Sequence, residues 1–308
     1  HRCTYCIVPL TRGRPSSRPT DQIVAEARRL LESGHVEIMI SGINLGQYGR
    51  GEQTGDFWDL LRTLDAQLAP EFAGQARFRI SSLEPGQLDA RGLDTLRACR
   101  MLCPHLHISL QHASQTVLRR MGRGHYSARM LETAVSELSG HWPVMGLGAD
   151  IIAGFPGESE ADVQELLELV HRLPLTYAHV FPYSRRPGTA AERFAGQIPH
   201  ALKLERAALL RQAVALKQKE FFKAQMALPR MVLATDSSGS GQKDGQKNGP
   251  DDNLNAMQPV AKKIKGVNEY YAPCFLRLRG ASPTGAAAAP EPAAGLLPVR
   301  PVALPQRP

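Results

Sequence analysis

The sequence predicts an α/β fold. A parallel sheet curves into a partial, TIM-like (β/α)6 barrel lacking its first strand, and a small C-terminal β-barrel follows. Three observations lead there. From residue 20 to about 224, short apolar runs alternate with amphipathic helical stretches, and strands separated by helices at that interval form parallel sheets with right-handed crossovers. The count is uneven, five strands against six helices, so a regular array needs one more strand immediately before His1. Beyond the long helix near 199–224 the pattern changes to short β segments separated by low-complexity stretches.

Taken in order, the strand-like runs are 36–41, 77–82, 105–110, 147–153 and 177–183. Helices are expected to begin near Asp21, Asp56, Gln87, Ser127, Glu160 and Pro199. The clearest carries Val163, Leu166, Leu167 and Val170 at helical spacing, after a Gly157-Glu158-Ser159 start. Next come β segments at 230–235, 270–279 and 296–304. Residues 237–265, rich in Gly, Ser, Asp, Asn and Lys, have little apolar surface to offset ordering entropy and are expected to be a disordered insertion. Residues 281–295 form a second low-complexity stretch. The division is therefore a barrel domain over 1–225 and a small β domain over 226–308.

A hydrophobic fraction of 43% supplies a core, and no run approaches the roughly 18 apolar residues of a membrane span. The chain opens on His1-Arg2-Cys3 with neither an initiator Met nor a signal-peptide pattern, so a fragment of a cytoplasmic protein is expected. Five cysteines, an odd number at uneven spacing, give no disulfide framework and fit a reducing compartment. The net charge of +8 and a pI near 9.4 suit a polyanionic partner or a merely basic enzyme.

The most specific feature is Cys3-Thr4-Tyr5-Cys6, followed by Pro9 and by Arg12-Gly13-Arg14. Two thiolates at this spacing converge on one metal centre. Half of a zinc site, completed from Cys99, Cys103, His105 and His107, is one alternative. A redox dithiol is another, although the loop-forming Pro and Gly residues replace the helix such a motif expects.

The run Arg2-Cys3-Thr4-Tyr5-Cys6-Ile7-Val8-Pro9, with Arg12-Gly13-Arg14 and Ser17-Arg18-Pro19, resembles the cluster loop of radical-SAM methylthiotransferases. The resemblance implies that Cys3 and Cys6 are the second and third ligands of a [4Fe–4S] cluster whose first cysteine precedes Cys3 by four residues. The fourth iron would bind S-adenosylmethionine (SAM). Further matches end successive strands: Ser41-Gly42-Ile43-Asn44-Leu45-Gly46, Ser81-Ser82-Leu83-Glu84-Pro85, His105 to Gln111, Asp150 to Glu158, and Phe181-Pro182-Tyr183-Ser184 with Pro187-Gly188-Thr189. All fall on the end of the barrel where such folds place reactive groups. Three departures stand out: Ser109 and Arg186 where the family usually has Pro, and His112-Ala113-Ser114 for Ser-Gly-Ser.

By resemblance, Gly42, Asn44, Glu84, Gln111, Asp150, Gly154 and Gly157 line the SAM site. The version of the motif at Ser81 to Pro85 is similar to that of the branch acting on threonylcarbamoyl-adenosine in tRNA. The implied chemistry is reduction of the cluster, homolysis of SAM, hydrogen abstraction at adenine C2 and insertion of a methylthio group. Its sulfur comes from a second cluster in an N-terminal domain that this sequence lacks, so the fragment alone is expected to bind cluster weakly and not to complete the reaction. Implied partners are a tRNA anticodon stem-loop and an electron donor such as flavodoxin or ferredoxin, with no membrane. The C-terminal segment resembles a TRAM domain, an RNA-binding barrel, through residues 266–271, 275–279 and 297–302.

Blander readings accompany these. Glu84 and Asp150 could cap helices, Gln111 could satisfy its own loop, and the glycines could be plain turns. Cys274 reads as packing. His105 and His107 read as structural, with at most one facing the barrel interior. Arg12, Arg14, Arg18, Arg185 and Arg186 would border the mouth and meet phosphates. Lys203, Arg206, Arg211, Lys217, Lys219 and Lys223 form either an RNA-facing or a merely solvated side of the last helix. The rival functions are methylthiolation of isopentenyl-adenosine or of a ribosomal-protein aspartate, and a non-catalytic RNA-binding metalloprotein.

Overall fold

The structure is a computed structural model and describes residues 3–13, 15–51, 55–227, 231–235, 263–268, 270, 273–277 and 296–299. Five strands, β1 (Glu37–Ile40), β2 (Arg77–Ile80), β3 (His105–Gln111), β4 (Gly146–Ala153) and β5 (Tyr177–Pro182), match the five expected runs. β1 pairs with β2, and β3, β4 and β5 form a second ladder; every pairing is parallel. Single bridges, Phe78 with Leu102 and Leu83 with Ile108, join the two ladders. There the Leu83 amide donates to the His107 carbonyl at 2.9 Å and the Cys103 amide to the Phe78 carbonyl at 2.9 Å. The strands thus lie side by side in chain order, as in a β/α barrel.

The helices are α1 (Val8–Thr11), α2 (Thr20–Glu32), α3 (Phe57–Phe72), α4 (Ala90–Ala98), α5 (Gln115–Arg120), α6 (Ala128–His141), α7 (Glu160–Arg172) and α8 (His200–Met226). Their starts follow from capping chemistry. Asp56 accepts from the amides of Trp58 and Asp59 while Asp59 returns a bond to the Asp56 amide, and Ser159 and Asp162 repeat this reciprocal arrangement for α7. Ser127 caps α6. The helix expected near Gln87 begins three residues later. Pro85–Gln87 forms a tighter 3-10 turn, and Asp89 caps α4 by accepting from the Gly92 amide at 2.8 Å. The short α1 and α5 were not expected, because six residues or fewer hold too little periodicity to read.

The strands alternate as their period of two demands. Leu106, Ile108 and Leu110 of β3 are buried against the helix layer with Leu64 and Leu68 of α3, Leu131 and Leu138 of α6, and Leu166 and Val170 of α7. A fully buried leucine of this kind contributes about 1.5–3 kcal/mol. The other face of β3 corrects one expectation. His105 and His107 do not divide between two faces: both accept or donate at the same Tyr177 hydroxyl, at 2.9 and 3.0 Å. Residues two apart in a strand share a side, so both histidines look into the barrel.

The C-terminal strands β6 (Met231–Thr235), β7 (Lys263–Asn268), β8 (Pro273–Arg277) and β9 (Leu296–Val299) form an antiparallel sheet in the order β8-β7-β6-β9. β7 is a further correction, since its first three residues fall in the stretch read as a disordered insertion. The segment Lys-Ile-Lys-Gly-Val-Asn has too few β-favouring residues to declare itself. Residues 236–262 and 278–295 lie outside the described residues. Among the described residues no helix is long and apolar enough to cross a membrane.

Candidate functional site

The sequence motifs converge at the C-terminal ends of the strands. The cysteine loop is a turn in which the Cys6 amide donates to the Cys3 carbonyl at 3.1 Å. Both cysteines are half-buried free thiols. The loop is fastened on two sides. Thr4 bonds the Met121 carbonyl through its amide (3.0 Å) and the Arg120 carbonyl through its hydroxyl (2.8 Å), and the Thr4 carbonyl accepts from the Ala191 amide at 2.9 Å. Beneath it, Tyr5 meets Phe155 edge-on within an apolar cluster that includes Tyr183 and Met121. Burial raises the Tyr5 pKa well above the ordinary phenol value, so it keeps its proton.

Arg123 links this loop to the barrel. Its Nη1 lies 3.4 Å from the Cys3 Sγ, its Nη2 donates to the Ser109 carbonyl at 2.9 Å, and its Nε donates to the Tyr126 hydroxyl at 3.1 Å. Burial opposes this charge, but the guanidinium stays protonated, with the Tyr126 hydroxyl and the Glu84 carboxylate favouring its charged form. Burial also pushes the Tyr126 hydroxyl to about 12, against the pull of Arg123, and that hydroxyl donates to the Leu110 carbonyl at 2.6 Å. Glu84 sits 3.6 Å from Arg123 Nη1 and 3.1 Å from His125 Nε2, and accepts from Asn44 Nδ2 at 3.2 Å. Cys3, Arg123, Glu84 and Asn44 are therefore contiguous. Gly42, exposed, lies two residues beyond β1 and two before Asn44, on the same edge. Neither Arg123 nor His125 was singled out from sequence. The signal available was a cation held between Gly122 and Gly124 after a helix end.

The other predicted residues form two further groups. Gln111 ends β3 with φ +61°, the one non-glycine residue with positive φ among those described, and is buried beside an irregularity in the β3–β4 register. Such backbone persists only where its surroundings dictate it. Gly154 and Gly157 belong to a turn wrapped around Glu158. This carboxylate accepts from the amides of Gly154 (2.9 Å) and Phe155 (3.2 Å), and pairs with Arg206 at 2.9 Å. Gly154 has φ +74°, and a Cβ there would come within 2.4 Å of the Lys203 side chain, so no other residue fits the turn against α8. Glu158, 1% exposed in its side chain, is thus a buried brace that sequence reading missed. Asp150 stands apart from both groups. It lies deeper on β4, with its Oδ1 3.1 Å from His107 Nε2.

Arg12, Arg18, Arg185 and Arg186 are exposed, and Arg14 lies outside the described residues. The basic side of α8 divides. Lys203 and Arg206 are buried and Lys217 pairs with Glu220 at 3.0 Å, while Arg211, which donates to the Val180 carbonyl at 2.8 Å, Lys219 and Lys223 are exposed. The four-ligand zinc alternative is not assembled among the described residues: no cysteine belongs to a group of three or more ligands. Burial pushes the Cys99 thiol up to about 12.

The comparisons agree with this geometry. The family model described as the radical SAM superfamily matches residues 1–170. A threonylcarbamoyladenosine tRNA methylthiotransferase, MtaB, of Aquifex aeolicus is 34% identical over 223 residues, 71% of this chain and 52% of that protein. The MtaB of Rickettsia prowazekii is 33% identical over 90% of this chain and 64% of its own length. A tRNA-2-methylthio-N(6)-dimethylallyladenosine synthase of Alkaliphilus oremlandii is 39% identical over 66% of this chain and 42% of its own. The chain thus spans about half the length of the curated relatives it matches. In fold it is similar to the radical S-adenosylmethionine methyltransferase TsrM of Kitasatospora setae (TM-score 0.52, 17% identity, 62% of this chain and 36% of that one). It is likewise similar to coproporphyrinogen III oxidase HemN of Escherichia coli (TM-score 0.51, 18% identity, 71% and 50%). The parallel barrel, the strand-end motifs and the match over residues 1–170 together place this chain in the radical SAM superfamily.

Proposed function

We propose that this chain carries the catalytic barrel of a tRNA methylthiotransferase acting at C2 of N6-threonylcarbamoyladenosine, next to the anticodon. The observation that carries the reading is the contiguous path from Cys3 through Arg123 and Glu84 to Asn44 at the barrel mouth. Relatives named for threonylcarbamoyladenosine support that choice of substrate.

The residues present fit an iron–sulfur cluster: two free, half-buried thiols lie on one turn, and the one on Cys3 is already a hydrogen-bond acceptor. Cys3 and Cys6 would hold a [4Fe–4S] cluster with a third cysteine from a preceding segment. Such a cluster supplies one-electron chemistry to SAM at its open iron. The chain's own part is positional. Arg123 places a fixed positive charge beside the Cys3 sulfur. Glu84, steadied by Asn44 and His125, offers acceptor oxygens to a cationic ligand group, and Gly42 lets a ligand approach the backbone. Gly154 and Gly157, in the turn after β4, and Gln111, at the end of β3, would add to the lining of the same ligand. Tyr5, Phe155 and Tyr183 exclude water under the loop.

In the same reading residues 1–225 form the barrel domain. Residues 226–308 form a TRAM-like RNA-binding domain around the C-terminal sheet. On this reading a second cluster, held by a preceding segment, would be the sulfur source, and flavodoxin or ferredoxin would be the electron donor, in the cytoplasm. Exposed Arg12, Arg18, Arg185 and Arg186 would meet phosphates of the anticodon stem-loop.

The sister substrate, dimethylallyladenosine, is a second reading because relatives named for it reach 38–39% identity. Mass spectrometry of tRNA nucleosides from cells lacking the gene separates the two. Loss of the methylthio group from threonylcarbamoyladenosine alone is expected. Loss from the dimethylallyl nucleoside instead would transfer the assignment to the sister reaction.

A further inference from the structure

We propose that His107, Asp150 and His179 form a divalent-cation site inside the barrel, distinct from the cysteine loop and of the nitrogen–oxygen class that accepts zinc. The three residues come from adjacent strands β3, β4 and β5, with Asp150 and His179 register partners. One ligand atom from each lies within 4.8 Å of the other two. Tetrahedral zinc with bonds of about 2.0–2.1 Å sets neighbouring ligand atoms about 3.3 Å apart. The His107 Nε2 and Asp150 Oδ1, at 3.1 Å, are already close to that spacing. His179 is exposed, so its ring can close the remaining distance, on the order of 1 Å, without repacking a core.

Two surrounding features favour a cation over a simple hydrogen-bonded chain. The Tyr177 hydroxyl contacts His107 Nδ1 at 3.0 Å, which commits that nitrogen and leaves Nε2 for the ion, the outer contact typical of metal-bound imidazoles. The tyrosine is itself fixed, since its ring lies over Gly148, where a Cβ would come within 2.2 Å of it. Charge points the same way. Arg77 and Arg79 both close on Glu37, at 2.6 and 2.7 Å, which offsets part of their charge. Asp150 touches His107 and stands level with His179 in the ladder, so its carboxylate attracts a cation to this point and repels an anion. Three protein ligands leave one position for water or an oxygen ligand, as in zinc sites that are not purely structural. The inference stands on these residues alone and does not depend on the tRNA substrate.

The test uses the 308-residue chain with Cys3→Ser and Cys6→Ser, so that the loop thiols cannot supply a site. Zinc content after dialysis, competition with a chromophoric chelator, and the visible spectrum with Co²⁺ are measured. About one zinc per chain is expected, with a tetrahedral cobalt spectrum free of thiolate charge transfer. H179Q and D150N should each weaken zinc at least about tenfold, and Y177F, which removes the outer contact to His107 together with the bond to His105, by about tenfold. His179 is exposed, so H179Q should leave the melting curve unchanged and keeps the test open if D150N misfolds. Absence of stoichiometric zinc, an affinity unmoved by H179Q, or a thiolate band from Cys99 or Cys103 would overturn the site.

Discussion

The mouth and the interior of the barrel use charge in different ways. At the mouth, Arg123, Glu84, Asn44 and His125 come from turns and loops, and Glu84 shares its oxygens among three neighbours. In the interior, Glu37, Arg77, Arg79, His105, Tyr177, His107 and Asp150 sit on strands, at positions set by the period of two. A strand fixes side-chain direction through its ladder, so the interior groups are tightly held and their pairing is close to obligatory. Loop residues keep alternatives. The mouth is therefore suited to exchanging partners for a ligand, whereas disruption of the interior should cost stability first.

The sharpest way to break this contrast is Arg79→Leu. The guanidinium is fully buried and pairs with Glu37 at 2.7 Å. Glu37 keeps Arg77, but a fully buried side chain with its hydrogen bonds is lost, and a destabilisation of roughly 3 kcal/mol is expected in urea unfolding. A change below about 1 kcal/mol would mean the interior pairing is optional. Arg123→Gln should cost less, about 1.5–3 kcal/mol, because Glu84 retains Asn44 and His125. A loss as large as that of Arg79→Leu would erase the distinction between the two regions.

The smallest effect is a pH dependence. Burial, then Arg79 and His107, depress the His105 pKa well below 6.5. The unfolded chain therefore takes up this proton before the folded one, and stability falls as pH drops below about 6.5, until the depressed folded value is reached. The slope contributed is at most about 1.4 kcal/mol per pH unit. His105→Gln should flatten the stability curve over that window by a corresponding amount, whereas parallel curves would show that His105 titrates normally when folded.

What could be read from the sequence follows from the range of each interaction. The five barrel strands and six principal helices were legible because apolar period and capping residues are local; Asp56 and Ser159 mark their helices within four residues. The cysteine loop and the strand-end residues were legible as motifs. Arg123 was not, since it reaches Cys3 across 120 positions. Nor was the Glu158 brace, whose Arg206 partner lies 48 residues away. The side shared by His105 and His107 was available from the strand period and was misassigned; Tyr177, about 70 residues on, shows their common direction. β7 hid in a lysine- and glycine-rich stretch whose partners are needed to define it as a strand.

The assignment as a whole turns on whether Cys3 and Cys6 are iron ligands. The direct measurement is anaerobic reconstitution of the full-length protein from the parent gene, with iron and sulfide determined per chain and SAM cleavage followed after reduction. About four of each, with 5′-deoxyadenosine released and both lost in Cys3→Ala and Cys6→Ala, is the predicted result. One tightly held zinc on those cysteines, with no cleavage of SAM, would contradict it.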